Sequence, residues 1–280
     1  MSATAVSARL KSILSKGKKI NLEKIKPYAD ELYDALRSCK TIAPLTEREP
    51  SITIGDAYQI SRCLLKSRQA DGERLIGKKI GVTSKAVMDL LGVYQPDFGF
   101  LTDRMLFANG ADLPISTEMI QPRAEGEIAF RLKNSLCGPG VDEQAVIDAT
   151  AAVYPCFEIV DSRIHDWKIK IQDTVADNAS CGMFVLGDIG ADPRQVDFVN
   201  CCAVVSKNGN VLSTGKGSAA LGSPLASVAW LANTLAEYGV TLDAGDIVLS
   251  GSLVPLEPVK PGDRMRLKIS GIGEASVDFV

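Results

Sequence analysis

The stretch Pro122-Arg-Ala-Glu-Gly-Glu-Ile-Ala-Phe130 decides the fold, because it reads as a strand with two glutamates, Glu125 and Glu127, at alternate positions. Alternate residues of a strand share a face and lie about 6.6 Å apart, so both carboxylates point into one space. A second predicted strand, Pro155-Cys-Phe-Glu-Ile-Val160, carries Glu158 among apolar neighbours. Burial of an unpaired ionised carboxylate costs several kcal/mol or raises its pKa, so these positions require a compensating charge.

A hard divalent cation held by Glu125, Glu127 and Glu158 is the simplest compensation for the three carboxylates together. Mg²⁺ or Mn²⁺ suits such a site, since both ions prefer oxygen ligands and leave positions open. For any one glutamate an ion pair is the simpler interpretation, with Arg123 beside Glu125 or Arg163 beside Glu158.

Composition limits the class of protein. The 280 residues are 46% hydrophobic and 23% charged, as in an ordinary globular protein with one substantial core or two modest domains. A net charge of -3, with no basic cluster among aromatics, argues against nucleic-acid binding, and no apolar run is long enough to span a membrane. Seven cysteines without a CxxC pair indicate reduced thiols and a cytoplasmic location. The single histidine, His165, excludes mechanisms that need two imidazoles.

The chain divides into three parts. Residues 1–24 form a basic extension, interpreted as a solvated arm or helix, with a transit peptide as the alternative. Residues 25–70 form a small helical region, with predicted helices at 21–40 and 54–70 and a loop at 41–50. Residues 71–280 form the catalytic domain.

In the third part, strands outnumber helices and do not alternate with them, which favours an α+β fold over a doubly wound sheet. The predicted strands are 75–82, 127–132, 156–160, 247–249, 265–269 and 275–280, with a hairpin at 201–212 and helices at 84–91, 142–153 and 224–237.

Two shorter motifs add candidate site residues. In Gly77-Lys-Lys-Ile-Gly81, alternation sends Lys78 and Lys79 to opposite faces, so one of them points inward and is either paired or catalytic. Asp97, in Tyr94-Gln-Pro-Asp-Phe-Gly99, is either an Asx-turn former or a catalytic acid.

The polar run Asp173-Thr-Val-Ala-Asp-Asn-Ala-Ser180 indicates a folded site, although Asp177, Asn178 and Ser180 could be turn and cap residues. His165 suits a surface position better than a catalytic base. Gly215-Lys-Gly217 is simpler as a turn than as a dinucleotide-binding loop, since βαβ repetition is missing.

From about Ile25 to its C-terminus, the chain resembles the 2-keto-4-pentenoate hydratases of aromatic meta-cleavage pathways, within the fumarylacetoacetate hydrolase superfamily. The segments that carry the resemblance are Gly77–Lys85, Gly92–Gly99, Ile120–Ile128, Glu158–Ile164, Asp166–Lys168, Asp173–Gly182 and Leu249–Leu253.

The resemblance implies a mixed β-sandwich roll with a small helical N-terminal region, and a homo-oligomer. It implies metal ligation by Glu125, Glu127 and Glu158. It also implies catalytic roles for Lys79, Asp97 and Ser180, with Lys79 and Ser180 binding substrate, and so favours Lys79 over Lys78.

The implied reaction is the metal-dependent hydration of 2-hydroxypenta-2,4-dienoate, the enol of 2-oxopent-4-enoate, to 4-hydroxy-2-oxopentanoate. Lys79 would add positive charge near the substrate, and Lys79 and Asp97 are the candidates for proton transfer. Asp97 would also direct water, and Ser180 would hold the substrate carboxylate. Two alternatives are a 4-oxalocrotonate decarboxylase and a non-catalytic scaffold partner of that decarboxylase. Gln121-Pro122 and Asp166-Trp167-Lys168 resemble the hydratases more than the decarboxylases.

Overall fold

A computed structural model describes the backbone of residues 22–280, so all but the last three residues of the predicted basic extension lie outside the described part. The helices are α1 (Leu22–Ser38), α2 (Leu45–Arg48), α3 (Ile54–Ala70), α4 (Lys85–Leu91), α5 (Ile115–Glu118), α6 (Glu143–Ala149), α7 (Ile171–Ala176) and α8 (Pro224–Glu237). The strands are β1 (Leu75–Gly81), β2 (Asp97–Thr102), β3 (Leu106–Phe107), β4 (Asp112–Leu113), β5 (Arg123–Leu132), β6 (Thr150–Val160), β7 (Met183–Leu186), β8 (Cys202–Lys207), β9 (Asn210–Lys216), β10 (Ile247–Leu249), β11 (Glu257–Pro258), β12 (Arg264–Ile269) and β13 (Gly273–Phe279).

Two mixed sheets form the body of the protein. The larger has the strand order β2-β1-β10-β5-β6-β7-β3, with β11 added beside β5, and the smaller has the order β4-β13-β12-β8-β9. The sheets pack face to face, since a Cβ on Gly126 of β5 would lie 3.0 Å from Leu267 of β12 and 3.4 Å from Val205 of β8. This sandwich confirms the α+β class and the mixed β-roll.

The N-terminal helices follow the predicted pattern. Helix α3 begins and ends at the predicted residues, and Thr53 caps it through a reciprocal bond with Asp56. Helix α1 buries Leu32, and α3 buries Ile60 and Leu64, in one continuous apolar core with the sheets. The N-terminal region is therefore packed onto the domain that carries the site.

Two predictions of secondary structure were wrong. The helix predicted over 142–153 ends at Ala149, and β6 begins at Thr150. Strand pairing decides this, because Ala152 and Val153 lie opposite Arg131 and Phe130 of β5, and a tertiary partner outweighs local helix preference. The same pairing starts β5 at Arg123, which agrees with the strand expected over 122–130 and extends the one expected over 127–132. The predicted loop 41–50 contains the one-turn helix α2.

Strand register brings the charged side chains onto one face of the larger sheet. Lys79 pairs with Leu249, and Leu249 pairs with Ala129. Alternation along β5 then places Glu127 and Glu125 on the face that Ala129 occupies. Gly126, which packs on the smaller sheet, points the opposite way. The charged face is therefore turned away from the smaller sheet.

Candidate active site and metal centre

The three glutamates lie together, as the sequence predicts. Glu125 on β5 is directly opposite Glu158 on β6, and Glu127 is two residues further along β5. Each can offer one carboxylate oxygen, and these three oxygens lie within 4.8 Å of one another. All three side chains are buried. Such an all-oxygen cluster has the ligand chemistry of a Mg²⁺ or Mn²⁺ site.

The hydrogen bonding of this cluster is incomplete. The backbone N–H of Gly251 donates to Glu127 Oε2 at 2.8 Å. Within residues 22–280, no hydrogen-bond donor in good geometry reaches Glu127 Oε1 or either oxygen of Glu158. Glu158 Oε1 faces the ammonium group of Lys79 at 3.3 Å, whereas Glu127 Oε1 and Glu158 Oε2 have neither a hydrogen bond nor an ion pair among the described residues. Buried polar atoms are nearly always paired in folded proteins, so these two oxygens are suited to bind a ligand. The residues present therefore suit a divalent cation.

The two arginines expected to pair with Glu125 and Glu158 have other partners. The guanidinium of Arg163 pairs with Asp177 instead of Glu158. The guanidinium of Arg123 lies over the ring of Trp167, with its carbon 5.4 Å from the ring centroid. Neither arginine compensates the cluster.

The pKa shifts reflect the same shortage of positive charge. Burial, aided by the charge of Glu158, raises the pKa of Glu125 to about 7. Burial also raises the pKa of Glu127 well above its usual value, and the charges of Glu158 and Glu125 add to this effect. A bound cation would favour the ionised form of both groups.

The two neighbouring lysines of β1 have different partners. Lys79 Nζ lies 3.3 Å from Glu158 Oε1, beside the carboxylates. On the opposite face, Lys78 pairs with Asp246 and donates to the carbonyl oxygen of Thr241 at 3.0 Å. The expectation that only one lysine points inward was therefore incomplete, since both are buried. Both faces of β1 are buried, so each lysine requires an acidic partner that compensates its charge.

Lys79 stays positively charged in this environment. Burial lowers its pKa, but the charges of Glu158 and Asp97, with others nearby, outweigh burial and raise the pKa above its usual value. A raised pKa suits a lysine for an electrostatic role better than for the role of a general base.

Asp97 is the first residue of β2, where it pairs with Gly81 of β1. It is buried, its Oδ2 accepts a hydrogen bond from Thr174 Oγ1 at 3.3 Å, and its Oδ1 has no partner within the described residues. A Cβ on Gly81 would lie 2.2 Å from Asp97 Oδ1. Glycine at this position therefore gives the carboxylate room, which the Asx-turn interpretation does not explain.

The segment before Ser180 is strained and tightly held. Asn178, Ala179 and Ser180 have φ values of 55°, 52° and 53°, a left-handed conformation that costs about 1–2 kcal/mol per residue. The side chain of Asn178 compensates by bonding both the N–H and the C=O of Phe100, at 2.8 and 2.9 Å. Asp177 and Asn178 are thus structural residues, as the turn interpretation proposes, while Ser180 lines a pocket.

Strain concentrates around that pocket. Val82 and Trp167, with φ values of 55° each, also line it, and positive φ is rare for β-branched and aromatic residues. Backbone strain of this kind persists mainly at functional sites. The pocket is therefore the candidate active site, on grounds independent of its charges.

The pocket lining divides by chemistry into a polar part, the polar end, and an apolar part, the apolar wall. Its cavity volume is about 30 Å³ in this structure. The polar end contains Lys79, Asp97, Glu125, Thr174, Ser180 and Ser252. The wall contains Val82, Val87, Val160, Trp167 and Leu256. Among the described lining residues, Lys79 carries the only positive charge.

Sequence reasoning missed Thr174 and Ser252. Thr174 stands in the polar run that indicated a site, but nothing in its spacing separates it from its neighbours. Ser252 belongs to a segment that only the resemblance marked. Long-range packing brings both to the pocket.

Two other motifs lie outside the pocket. His165 is a surface residue, with its side chain 59% exposed. Gly217 packs against the backbone of Phe198, where a Cβ would lie 1.8 Å from the carbonyl oxygen. Gly215 packs in the same way against Leu253. Gly215 lies within β9 and Gly217 directly follows it, so both glycines serve close packing. The turn expected at Gly215-Lys-Gly217 is therefore the end of a strand.

Residues 79–280 match the fumarylacetoacetate (FAA) hydrolase C-terminal family, and the chain belongs to that family. The chain is 56% identical over 256 residues to the 2-hydroxyhexa-2,4-dienoate hydratase of Comamonas testosteroni. The match covers 91% of this chain and 97% of that relative. It is 62% identical over 216 residues to the 2-hydroxypent-2,4-dienoate hydratase of Pseudomonas putida, which covers 77% of this chain and 97% of the relative.

Among solved structures, the chain is similar to the 4-oxalocrotonate decarboxylase of Pseudomonas putida G7 complexed with magnesium and adipate. The TM-score is 0.90 at 35% identity, and the match covers 94% of this chain and all of that one. A fumarylpyruvate hydrolase from Pseudomonas aeruginosa, in complex with Mn²⁺ and pyruvate, shares the fold with a TM-score of 0.60 at 16% identity, over 73% of this chain and 89% of that one.

No helix within residues 22–280 combines the length and apolar character needed to cross a membrane.

Proposed function

We propose that this protein is a hydro-lyase that converts 2-hydroxypenta-2,4-dienoate, with water, to 4-hydroxy-2-oxopentanoate in the breakdown of aromatic compounds. Protonation at C5 of the dienol gives a conjugated enone, and water then adds at C4. Hydratase relatives at 56% and 62% identity support this reaction.

The observation that carries the proposal is the charge distribution of the pocket. Lys79 is the one cationic group among the described lining residues, and much of the remaining lining is apolar. A substrate with one carboxylate and a short hydrocarbon tail matches this composition. A second carboxylate on the substrate would lose its hydration in the pocket without gaining a second cationic partner among the described lining residues.

Glu125, Glu127 and Glu158 are the proposed metal ligands, for Mg²⁺ or Mn²⁺. When bound, the cation would act as a Lewis acid that stabilises negative charge on the carboxylate and 2-oxygen of the substrate. The carboxylate ligands offset much of the cation's charge, so Lys79 adds the positive charge that the substrate requires.

Asp97 and Ser180 are the proposed catalytic groups beside Lys79. The free Oδ1 of Asp97 has room to accept a hydrogen bond from the attacking water. Ser180 reaches the same end of the pocket, where we propose that it contacts substrate or water. The wall that includes Val82 and Trp167 excludes bulk water from the hydrocarbon part.

Decarboxylation of 4-oxalocrotonate is the runner-up, because the structural relative at 35% identity has that activity in its name. The apolar wall disfavours it, since 4-oxalocrotonate carries a second carboxylate. A non-catalytic scaffold would have no need of six buried polar groups around a pocket: Lys79, Asp97, Ser180 and the three glutamates.

Loss of the ultraviolet absorbance of 2-hydroxypenta-2,4-dienoate tests the proposal directly. We expect fast loss with enzyme and Mg²⁺, and little loss once EDTA has removed the metal. Glu125→Gln removes one ligand charge and should reduce turnover roughly 10³-fold, since Lewis-acid stabilisation contributes several kcal/mol. Glu118→Gln changes an exposed acid outside the pocket and serves as the matched control.

The same enzyme samples, incubated with 4-oxalocrotonate, test the decarboxylase alternative. Release of carbon dioxide without hydration of the dienoate would assign the decarboxylase activity instead. Inertness toward both substrates, with metal bound, would favour the scaffold role.

Assembly and location are further parts of the proposal. We propose a homo-oligomer that can associate with a 4-oxalocrotonate decarboxylase, and light scattering of the mixed and separate proteins measures both. The seven cysteines are all free, which supports a reducing, cytoplasmic location.

A further inference from the structure

We propose that Thr174 is a positioning residue that fixes the side chains of Asp97 and Ser180 relative to each other through one shared hydroxyl. The inference deepens the proposed hydration, on which it rests. Thr174 Oγ1 lies 3.3 Å from Asp97 Oδ2 and 3.4 Å from Ser180 Oγ, and all three side chains are buried. Three side chains at the polar end of the pocket thus contact one another in a row, with Thr174 between Asp97 and Ser180.

The hydrogen bonds among these three side chains have a defined donor and acceptor at each step. A threonine hydroxyl has a single hydrogen, and Thr174 donates it to the carboxylate oxygen of Asp97. The contact between Thr174 and Ser180 is then a hydrogen bond only if Ser180 donates. Ser180 therefore turns its lone pairs toward the pocket.

This direction sets what Ser180 can recognise. Lone pairs accept a hydrogen bond from water or from the substrate hydroxyl, whereas a carboxylate needs a donor. The geometry therefore favours Ser180 as an acceptor for the water or the 2-hydroxyl, rather than as the holder of the substrate carboxylate that the sequence suggested. Lys79 remains the donor for the carboxylate.

Helix α7 holds Thr174 through the preceding residue. Asp173 is fully buried, and its two oxygens accept hydrogen bonds from the N–H and the hydroxyl of Thr46, at 3.0 and 2.7 Å. Its Oδ2 also accepts from the N–H of Lys170 at 2.9 Å. Thr46 lies on α2, so the N-terminal region anchors the helix turn that presents Thr174.

The Ser180 end is held by its backbone. The left-handed turn at 178–180 is fixed by Asn178, which leaves the rotation of the Ser180 hydroxyl to be set by its neighbours. Of the hydrogen bonds within the described residues, the contact with Thr174 is the one that involves this hydroxyl. Without Thr174, Ser180 would turn freely.

A pair of variants tests the proposal. Thr174→Val keeps the shape and removes the hydroxyl, while Thr174→Ser keeps the hydroxyl and removes a methyl. We expect Thr174→Val to lower kcat about 10- to 100-fold, the usual cost of losing a residue that orients catalytic groups. Thr174→Ser should recover most of that loss. Metal affinity, measured by calorimetry with Mn²⁺, should be unchanged in both variants.

The kinetic result separates positioning from simple packing. A packing role predicts that Thr174→Ser, which leaves a small void, is the more harmful change. Wild-type kcat in a folded Thr174→Val enzyme, or equal losses in both variants, would overturn the inference.

Crystal structures of the two variants keep the inference testable if the proposed hydration fails. In Thr174→Val, we expect the side chains of Asp97 and Ser180 to move or to adopt several rotamers, while in Thr174→Ser they should keep their places. Unmoved side chains in Thr174→Val would reject a positioning role whatever the reaction is. An inactive wild-type enzyme with the expected movements would reject only the hydration.

Discussion

Two clusters of buried charge, at opposite ends of the segment 158–163, differ in how completely they are paired. In the first, Arg163 donates to Asp177 and to the carbonyl oxygens of Asp161, Cys181 and Asp177. In the second, Glu125, Glu127 and Glu158 share one Lys79 and leave carboxylate oxygens without donors among the described residues. Both clusters are buried to a similar degree.

The difference separates a structural use of buried charge from a functional one. A fully paired arginine fixes the backbone at 161–163 and 177–181, and it cannot take part in binding without losing those bonds. An open carboxylate cluster is costly to fold but is ready for a ligand. Changes to the first cluster should therefore alter stability, and changes to the second should alter binding and activity.

The largest expected effect on stability comes from breaking the paired cluster. Asp177→Asn removes the charge that balances Arg163, and an uncompensated buried charge costs about 3–5 kcal/mol of unfolding free energy. Denaturant unfolding followed by circular dichroism measures the loss. Asp166→Asn, at a side chain that is 60% exposed, is the matched control and should change little. Equal stability of the two variants would show that the paired cluster is not structural.

Binding of metal should stabilise the protein through the open cluster. A ligand that binds only the folded state at about 100 times its dissociation constant adds about 2.7 kcal/mol to the unfolding free energy. We expect Mg²⁺ or Mn²⁺ to raise the melting temperature of the wild type above its value in EDTA. Glu127→Gln should show a much weaker response. An identical rise in both proteins would place the metal elsewhere.

Loss of one carboxylate should stabilise the metal-free protein. Glu127→Gln removes a charge that is repelled by Glu125 and Glu158, and the amide oxygen can still accept from the N–H of Gly251. We expect a gain of about 1–2 kcal/mol, in the range found when a costly functional group is removed. Unfolding in EDTA measures it, beside Glu118→Gln. A marked loss of stability would mean that Glu127 is structural, like Asp177.

Much of this arrangement follows from the sequence. Period-2 alternation was enough to place Glu125 and Glu127 together, and helix periodicity gave α3 and α8 to the residue. Charge conflict alone indicated a cation, since three glutamates in apolar strands need one. The choice of Lys79 over Lys78 came from the resemblance, and the contact of Lys79 with Glu158 agrees with it.

The rest depends on contacts that local patterns do not encode. The start of β6 at Thr150 is set by its partner strand, and the burial of Lys78 is set by Asp246, far away in sequence. Thr174 gains its place only because α2 and α7 meet through Thr46 and Asp173. Left-handed turns at Ala179 and Ser180 are also unexpected, because neither residue favours that conformation.

The smallest expected effect concerns the one histidine, which lies outside both clusters. His165 contacts Thr41 through Nδ1 at 3.1 Å and Asp166 through Nε2 at 3.2 Å, on the exposed surface. His165→Ala should change stability by less than about 0.5 kcal/mol, as surface substitutions generally do. It should also leave kcat and its pH dependence unchanged, because the side chain of His165 contacts Thr41 and Asp166, and neither residue lines the pocket. If one side of the bell-shaped dependence of kcat on pH disappeared in this variant, His165 would be a proton-transfer group. The catalytic machinery would then include a residue that belongs to neither the paired nor the open cluster.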